Sequence, residues 1–127
     1  MGEPLFLTLA EVVEIHKDQI NRYGGSAGIR DMNLLSSAVA MPYAFFGEHF
    51  LHHDIFEMAA AYAFHISQNH PLIDGNKRTA LASALIFLEL NGTSITDTGG
   101  ELYDAMIHLA TGELDKTAFG SILKRMA

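Results

Sequence analysis

Helix punctuation recurs along this chain, and nowhere does the sequence supply a set of strands that could pair into a sheet. Thr8 and Glu11 stand three residues apart at the head of an apolar-periodic run. That is capping-box spacing: the hydroxyl takes an orphan N–H and the carboxylate reaches back to the cap. Asp54 and Glu57 repeat it. Asp31 is a third N-cap, ahead of Leu34, Leu35, Ala38 and Met41. Pro42 is expected to stop that helix by disfavouring a helical residue before it. In the first helix Val12, Ile15, His16, Gln19, Ile20 and Tyr23 fall on roughly one face, and Gly24-Gly25 end it. The helix after Asp54 runs to about Gln68 and is rich in alanine, which permits close packing on all sides. Gly75 opens the next, which ends at Asn91-Gly92. Residues 101–110 and 115–126 read as closing helices, with Lys124-Arg125 at a C-terminus where cations oppose the dipole. Thr93 to Thr98 is too short and polar for a strand, and 43–53 is expected to be irregular. The expected fold is all-α: about six helices with short connections, in a single domain over residues 1–127.

Composition narrows the class of function. Apolar residues make up 49% of the 127 residues and charged ones 18%, which excludes a disordered chain. Cysteine is absent, so there is no disulfide framework and no thiolate metal site. Eight basic residues against fifteen acidic give a net charge of −7, so direct nucleic-acid binding is not expected. The opening MGEPLFLTLAEVVE lacks the basic start of a signal peptide. The most apolar run, Ala80 to Leu90, is too short to span a bilayer. A cytoplasmic location away from membranes is therefore expected.

Against that acidic background the segment His70-Pro71-Leu72-Ile73-Asp74-Gly75-Asn76-Lys77-Arg78 stands out. A helix N-terminus presents unpaired N–H groups and partial positive charge. Here it also carries a glycine that lets a ligand approach the backbone, followed by Asn76, Lys77 and Arg78. Cations in a first turn oppose the dipole, and an anion bound there accounts for their presence. Polyphosphate suits both Arg and Lys. One carboxylate beside phosphate oxygens is the usual Mg²⁺ arrangement, and Asp74 is placed for it. Histidine, with an ordinary pKa of about 6.5, takes a proton at neutral pH, and His70 leads into the loop. Each residue has a plainer reading: Asp74 as an N-cap, His70-Pro71 as a loop dipeptide, Lys77 and Arg78 as solvated charges. Together they compose a phosphoryl-type transfer site.

This segment resembles the signature of the Fic superfamily, His-Pro-Phe-x-Asp/Glu-Gly-Asn-Gly-Arg. His70, Pro71, Asp74, Gly75, Asn76 and Arg78 match, and Leu72 stands where Phe is usual. Lys77 replaces the common glycine, and Leu81 stands where a second arginine is usual. Both departures are features of the death-on-curing (Doc) branch. So are Ile15-His16, Tyr23-Gly24-Gly25, Gly28-Ile29-Arg30-Asp31, Leu34-Leu35, Ser37-Ala38, Pro42, Lys77 to Leu81 and Asn91-Gly92, so the likeness extends over about residues 8 to 125. The resemblance implies a helical Fic/Doc fold and a toxin that uses ATP with Mg²⁺ and is paired with a small antitoxin. It implies His70 as general base, Asp74 as the Mg²⁺ ligand, and Gly75, Asn76, Lys77 and Arg78 as the phosphate cradle. In the Doc branch the nucleotide sits reversed, so a phosphoryl group is transferred where the wider superfamily transfers AMP; the implied target is a threonine of the translation factor EF-Tu. The alternatives are AMP transfer and a non-catalytic regulatory module.

Other residues invite readings of their own. His49, His52, His53 and Asp54 have loose metal-ligand spacing, but Asp54 is better used as a cap. Phe45, Phe46 and Phe50 are expected either as core under a loop or as a flap that docks the target chain. His16, His65 and His108 fall within helical patterns and are expected to be structural. The Ser/Thr-x-x-x-Glu-Gly/Asn inhibitory motif of some Fic proteins is absent from this sequence. Inhibition is therefore expected to come from a partner chain.

Overall fold

The computed structural model describes residues 3–127. Among these the helices are α1 (Leu9–Tyr23), α2 (Met32–Ala40), α3 (Ile55–Asn69), α4 (Asn76–Leu90), α5 (Glu101–Thr111) and α6 (Lys116–Met126). The all-α expectation holds. No described helix is long and apolar enough to cross a membrane.

The expected starts are built as read. Thr8 Oγ1 accepts from Glu11 N at 3.1 Å while Glu11 Oε1 accepts from Thr8 N at 2.8 Å, a complete capping box. Asp31, Asp54 and Asp115 each accept from the backbone N–H three residues on. Such caps each contribute about 1 kcal/mol.

α3 is the central element and packs against α2, α4, α5 and α6. Its sequence explains why. Ala59, Ala60, Ala61 and Ala63 are all fully buried, so small side chains face its neighbours on every side. On α6, Gly120 continues this close approach: a Cβ there would lie 3.2 Å from the Phe56 carbonyl oxygen. Larger residues fill the remaining space. Tyr62 stacks obliquely on Phe87 at 5.1 Å between centroids, and its hydroxyl accepts from Leu7 N at 2.9 Å. Burial pushes the Tyr62 phenol well above its usual range, so it is a neutral core group.

Two local expectations need correction. α2 ends at Ala40, but Met41 keeps helical angles (φ −61°, ψ −40°) and leads into a 3₁₀ turn over Met41–Tyr43. Pro42 therefore ends the α-helix through its missing N–H, not by forcing its predecessor out of the helical region. The 43–53 stretch is not wholly irregular. β1 (Phe45–Phe46) and β2 (His49–Phe50) form a minimal antiparallel hairpin, with Phe45 opposite Phe50 and Gly47 at φ 66° in the turn. Phe45 and Phe46 are 59% and 79% exposed, so they are not core residues. Only Phe50 is half-buried, stacked on Phe45 at 4.4 Å and tilted against Phe6 at 5.6 Å.

Candidate active site

The site begins where α3 stops. His70 caps the helix with φ 51° and ψ 48°, the only described non-glycine residue with positive φ. An L-residue in that conformation costs about 1–2 kcal/mol, so the turn is held by its surroundings. Pro71 and Leu72 then dive into the core, and Leu72 is 1% exposed. An apolar side chain is required there, which explains the position better than its exact identity does.

Asn76, the first residue of α4, grips this loop. Its Oδ1 accepts from Leu72 N and its Nδ2 donates to Leu72 O, both at 3.0 Å. The clamp fixes the amide orientation, so the second N–H faces His70 Nδ1 at 3.2 Å. In this arrangement Nδ1 accepts, and a neutral ring carries its proton on Nε2. In this tautomer the basic nitrogen is Nδ1, free once the Asn76 contact opens; Nε2 serves as the base only after the proton moves to Nδ1.

Asp74 does not cap α4, contrary to the plainer sequence reading. The N-cap is Gly75, in a left-handed conformation (φ 73°) with no side-chain cap bond. Asp74 Oδ1 accepts from Gly75 N at 2.8 Å and Oδ2 accepts from Ser26 N at 3.1 Å. These two backbone donors, Ser26 first, hold its carboxyl below the usual carboxylate range. Gly25 makes the approach feasible, since a Cβ there would sit 2.6 Å from Asp74 Oδ2.

Arg78 turns toward the same loop. Its Nη2 donates to Gly24 O at 2.9 Å, and its guanidinium lies 5.8 Å from the Tyr23 ring centroid. Lys77 projects into solvent. The first intrahelical bond of α4 runs from Thr79 N to Gly75 O, so the N–H groups of Asn76, Lys77 and Arg78 precede the ladder. Beneath them, buried His16 meets Thr79 Oγ1 through Nδ1 at 3.0 Å. Burial keeps His16 below its ordinary pKa despite the opposing Gly28 carbonyl.

His70, Asp74, Gly75, Asn76, Lys77 and Arg78 thus line one cleft of about 510 Å³. Sequence reading missed the opposite wall: Tyr23 at the end of α1, Gly24-Gly25 after it, and Tyr103 from α5. Nothing in the α5 pattern marks Tyr103 except that it is a large aromatic left 63% exposed. Tyr23, Lys77, Arg78 and Tyr103 also border a neighbouring apolar groove of about 350 Å³ between α1, α4 and α5.

The His49 to Asp54 cluster is dispersed. His52 Nε2 and His65 Nε2 lie 3.2 and 3.0 Å from Lys116 Nζ, His53 points outward near Glu57, and Asp54 caps α3. His65 therefore packs within an α3–α6 contact, while His108 is exposed beside Glu113.

Comparison with known proteins places the whole chain. The family model described as Fic/DOC family matches residues 6–88. The chain is 34% identical over 116 residues to "Protein kinase doc" of Escherichia phage P1, covering 91% of this chain and 90% of that one. It is 41% identical over 73 residues to "Toxin Doc" of Mycolicibacterium smegmatis, covering 58% of this chain and 56% of that one. With the family model spanning His70 to Arg78 and a relative matched along nearly the whole length of both chains, this protein belongs to the Fic/DOC family.

Proposed function

We propose that this protein is the toxin of a toxin–antitoxin pair and transfers the γ-phosphoryl group of ATP to a hydroxyl of a target protein. The observation that carries the reading is the convergence of His70, Asp74, Asn76, Lys77 and Arg78 on one cleft at the uncapped N-terminus of α4. The names of the two relatives, a protein kinase and a toxin, support the chemistry and the biological role.

In this reading the N–H groups of Asn76, Lys77 and Arg78, with the two basic side chains, bind the phosphate oxygens. Asp74 fits a Mg²⁺ ligand: each carboxylate oxygen holds one backbone N–H and keeps a further lone pair. Bound there, Mg²⁺ would offset charge on the phosphate oxygens. The target hydroxyl oxygen forms the new bond to phosphorus as the bond to the β–γ bridging oxygen breaks and ADP leaves. His70 accepts the hydroxyl proton. By resemblance the target is a threonine of EF-Tu and the inhibitor a small cognate antitoxin.

Lys77 favours phosphoryl over AMP transfer, because it places a charged side chain where most Fic sites have bare backbone. AMP transfer remains the second reading, since Asp74 and Gly75 suit that signature equally. The intact set of polar groups in the cleft argues against a purely regulatory module. The deciding experiment supplies ATP labelled at either the α- or γ-phosphate to the protein in a cell lysate. Label from the γ position on protein is expected. α-Label on protein would replace kinase with AMP-transferase, and no label from either would leave the regulatory module.

A further inference from the structure

We propose that Arg30 is a positioning residue for His70, holding the left-handed turn from which the imidazole is presented. This rests on the reading of His70 as the base. Residues 28–31 form a strap lying antiparallel along the loop after α3. Ile73 N donates to Gly28 O at 3.1 Å, Ile29 pairs with Leu72 in an isolated bridge, and Arg30 N and Asp31 N both donate to Pro71 O at 2.7 and 3.0 Å. These backbone bonds fix residues 71–73 and survive a change of side chain at position 30.

The Arg30 side chain reaches one step further back. Its Nε donates to His70 O at 2.7 Å and its Nη2 donates to Asn69 O at 3.2 Å. These carbonyls belong to the end of α3, where the last acceptors have no intrahelical donors and the dipole is negative. The fork of Nε and Nη2 matches two successive carbonyls, a match that a lysine ammonium reproduces only in part. The orientation of the His70 carbonyl is set by the disfavoured left-handed angles (φ 51°, ψ 48°), so the guanidinium grips the peptide most prone to relax. His70 is thereby held at both ends: Asn76 faces the ring nitrogen, and Arg30 holds the carbonyl. Arg30 is not among the residues lining the cleft, so it acts through His70 and not on the nucleotide.

The test uses full-length Arg30→Ala, Arg30→Gln and Arg30→Lys proteins. Initial rates of γ-phosphoryl transfer to protein in a fixed lysate are measured against ATP concentration, alongside the ¹³Cα resonance of His70 and thermal melting. Displacing a reacting group by about an ångström costs up to about a hundredfold. Arg30→Ala should therefore lower the maximal rate at least about tenfold without raising the KM for ATP. It should also move the His70 resonance, and Arg30→Lys should recover part of both. Unchanged rate and resonance in a folded Arg30→Ala protein would overturn the proposal. So would a loss shared equally between maximal rate and KM, or one that Arg30→Lys leaves wholly unrelieved. If Arg30→Ala does not fold, Arg30→Gln, whose single amide NH2 cannot reproduce the two-nitrogen fork, is read in the same way. If the wild type transfers no label, the base reading fails by itself, and the His70 resonance still decides whether Arg30 sets the turn.

Discussion

His70 owes its position to a backbone conformation that few side chains adopt, and the groups around it are specialised for keeping it there. His70→Ala is expected to abolish label transfer and growth arrest while leaving the thermal melting temperature within a few degrees of wild type, because the exposed ring contributes little packing. Continued arrest at equal expression would remove His70 from the base role. Lys77 offers the sharper question of chemistry. Lys77→Gly should cut γ-phosphoryl transfer and admit some AMP transfer, read as the mass added to the target protein. The glycine costs at most about 1 kcal/mol in a helix and less in its first turn, so the fold should survive. An AMP adduct made by the wild type would sink the kinase reading. The residues on the α4 side of the cleft were legible in the sequence because they are contiguous and chemically unusual in an acidic chain. Tyr103 and Arg30 were not. Arg30 lies forty residues before its His70 partner in the chain, and no local pattern reports such a pairing. Asp74 was legible as a carboxylate at the site but misleading as a cap, because Gly75 takes the N-cap position and the Asp74 carboxylate is held instead by Gly75 N and by Ser26 N from the loop after α1.

At the scale of elements, helix starts were the most readable feature, since a cap and its acceptor sit three residues apart. Thr8→Ala should cost about 1 kcal/mol, measured by denaturant unfolding, because it removes the acceptor for Glu11 N from a complete capping box. Element contacts were less readable. The alanines of α3 announced close packing, but not that Gly120 of α6 would rest against the Phe56 carbonyl. Gly120→Ala places a Cβ tighter than ordinary contact there, and overpacking of this kind costs about 1–3 kcal/mol. The helix propensity of alanine offsets part of that, so a net loss near 1 kcal/mol is expected. A more stable Gly120→Ala protein would show that α6 slides freely on α3. The hairpin at 45–50 escaped the sequence reading because two residues per strand leave no alternation to detect, and its aromatic side chains look like core. The exposure of Phe45 and Phe46 removes the core reading for these two side chains.

For the molecule as a whole, the contact between α3 and α6 carries a dependence on acidity. Burial, then the Lys116 charge, pushes the His65 pKa from 6.5 down to about 4, and burial lowers that of His52 as well. The folded state therefore holds these rings neutral while the unfolded chain protonates them. Between about pH 6.5 and 4 the unfolded state binds more protons, so the contribution of these rings is fully present above 6.5 and is lost as the solution is acidified. Denaturant midpoints measured across that window should drop toward acid, and His65→Gln should flatten the slope; an equal slope in the variant would place the proton uptake elsewhere. The strap at 28–31 bears on a different question, that of timing during synthesis. The Arg30 hydrogen bond to His70 spans forty positions, so residues 70–78 are made after the strap. A partly made chain therefore carries a strap with nothing to hold and no nucleotide site. The cleft can therefore close only once α5, which supplies Tyr103, has also been made.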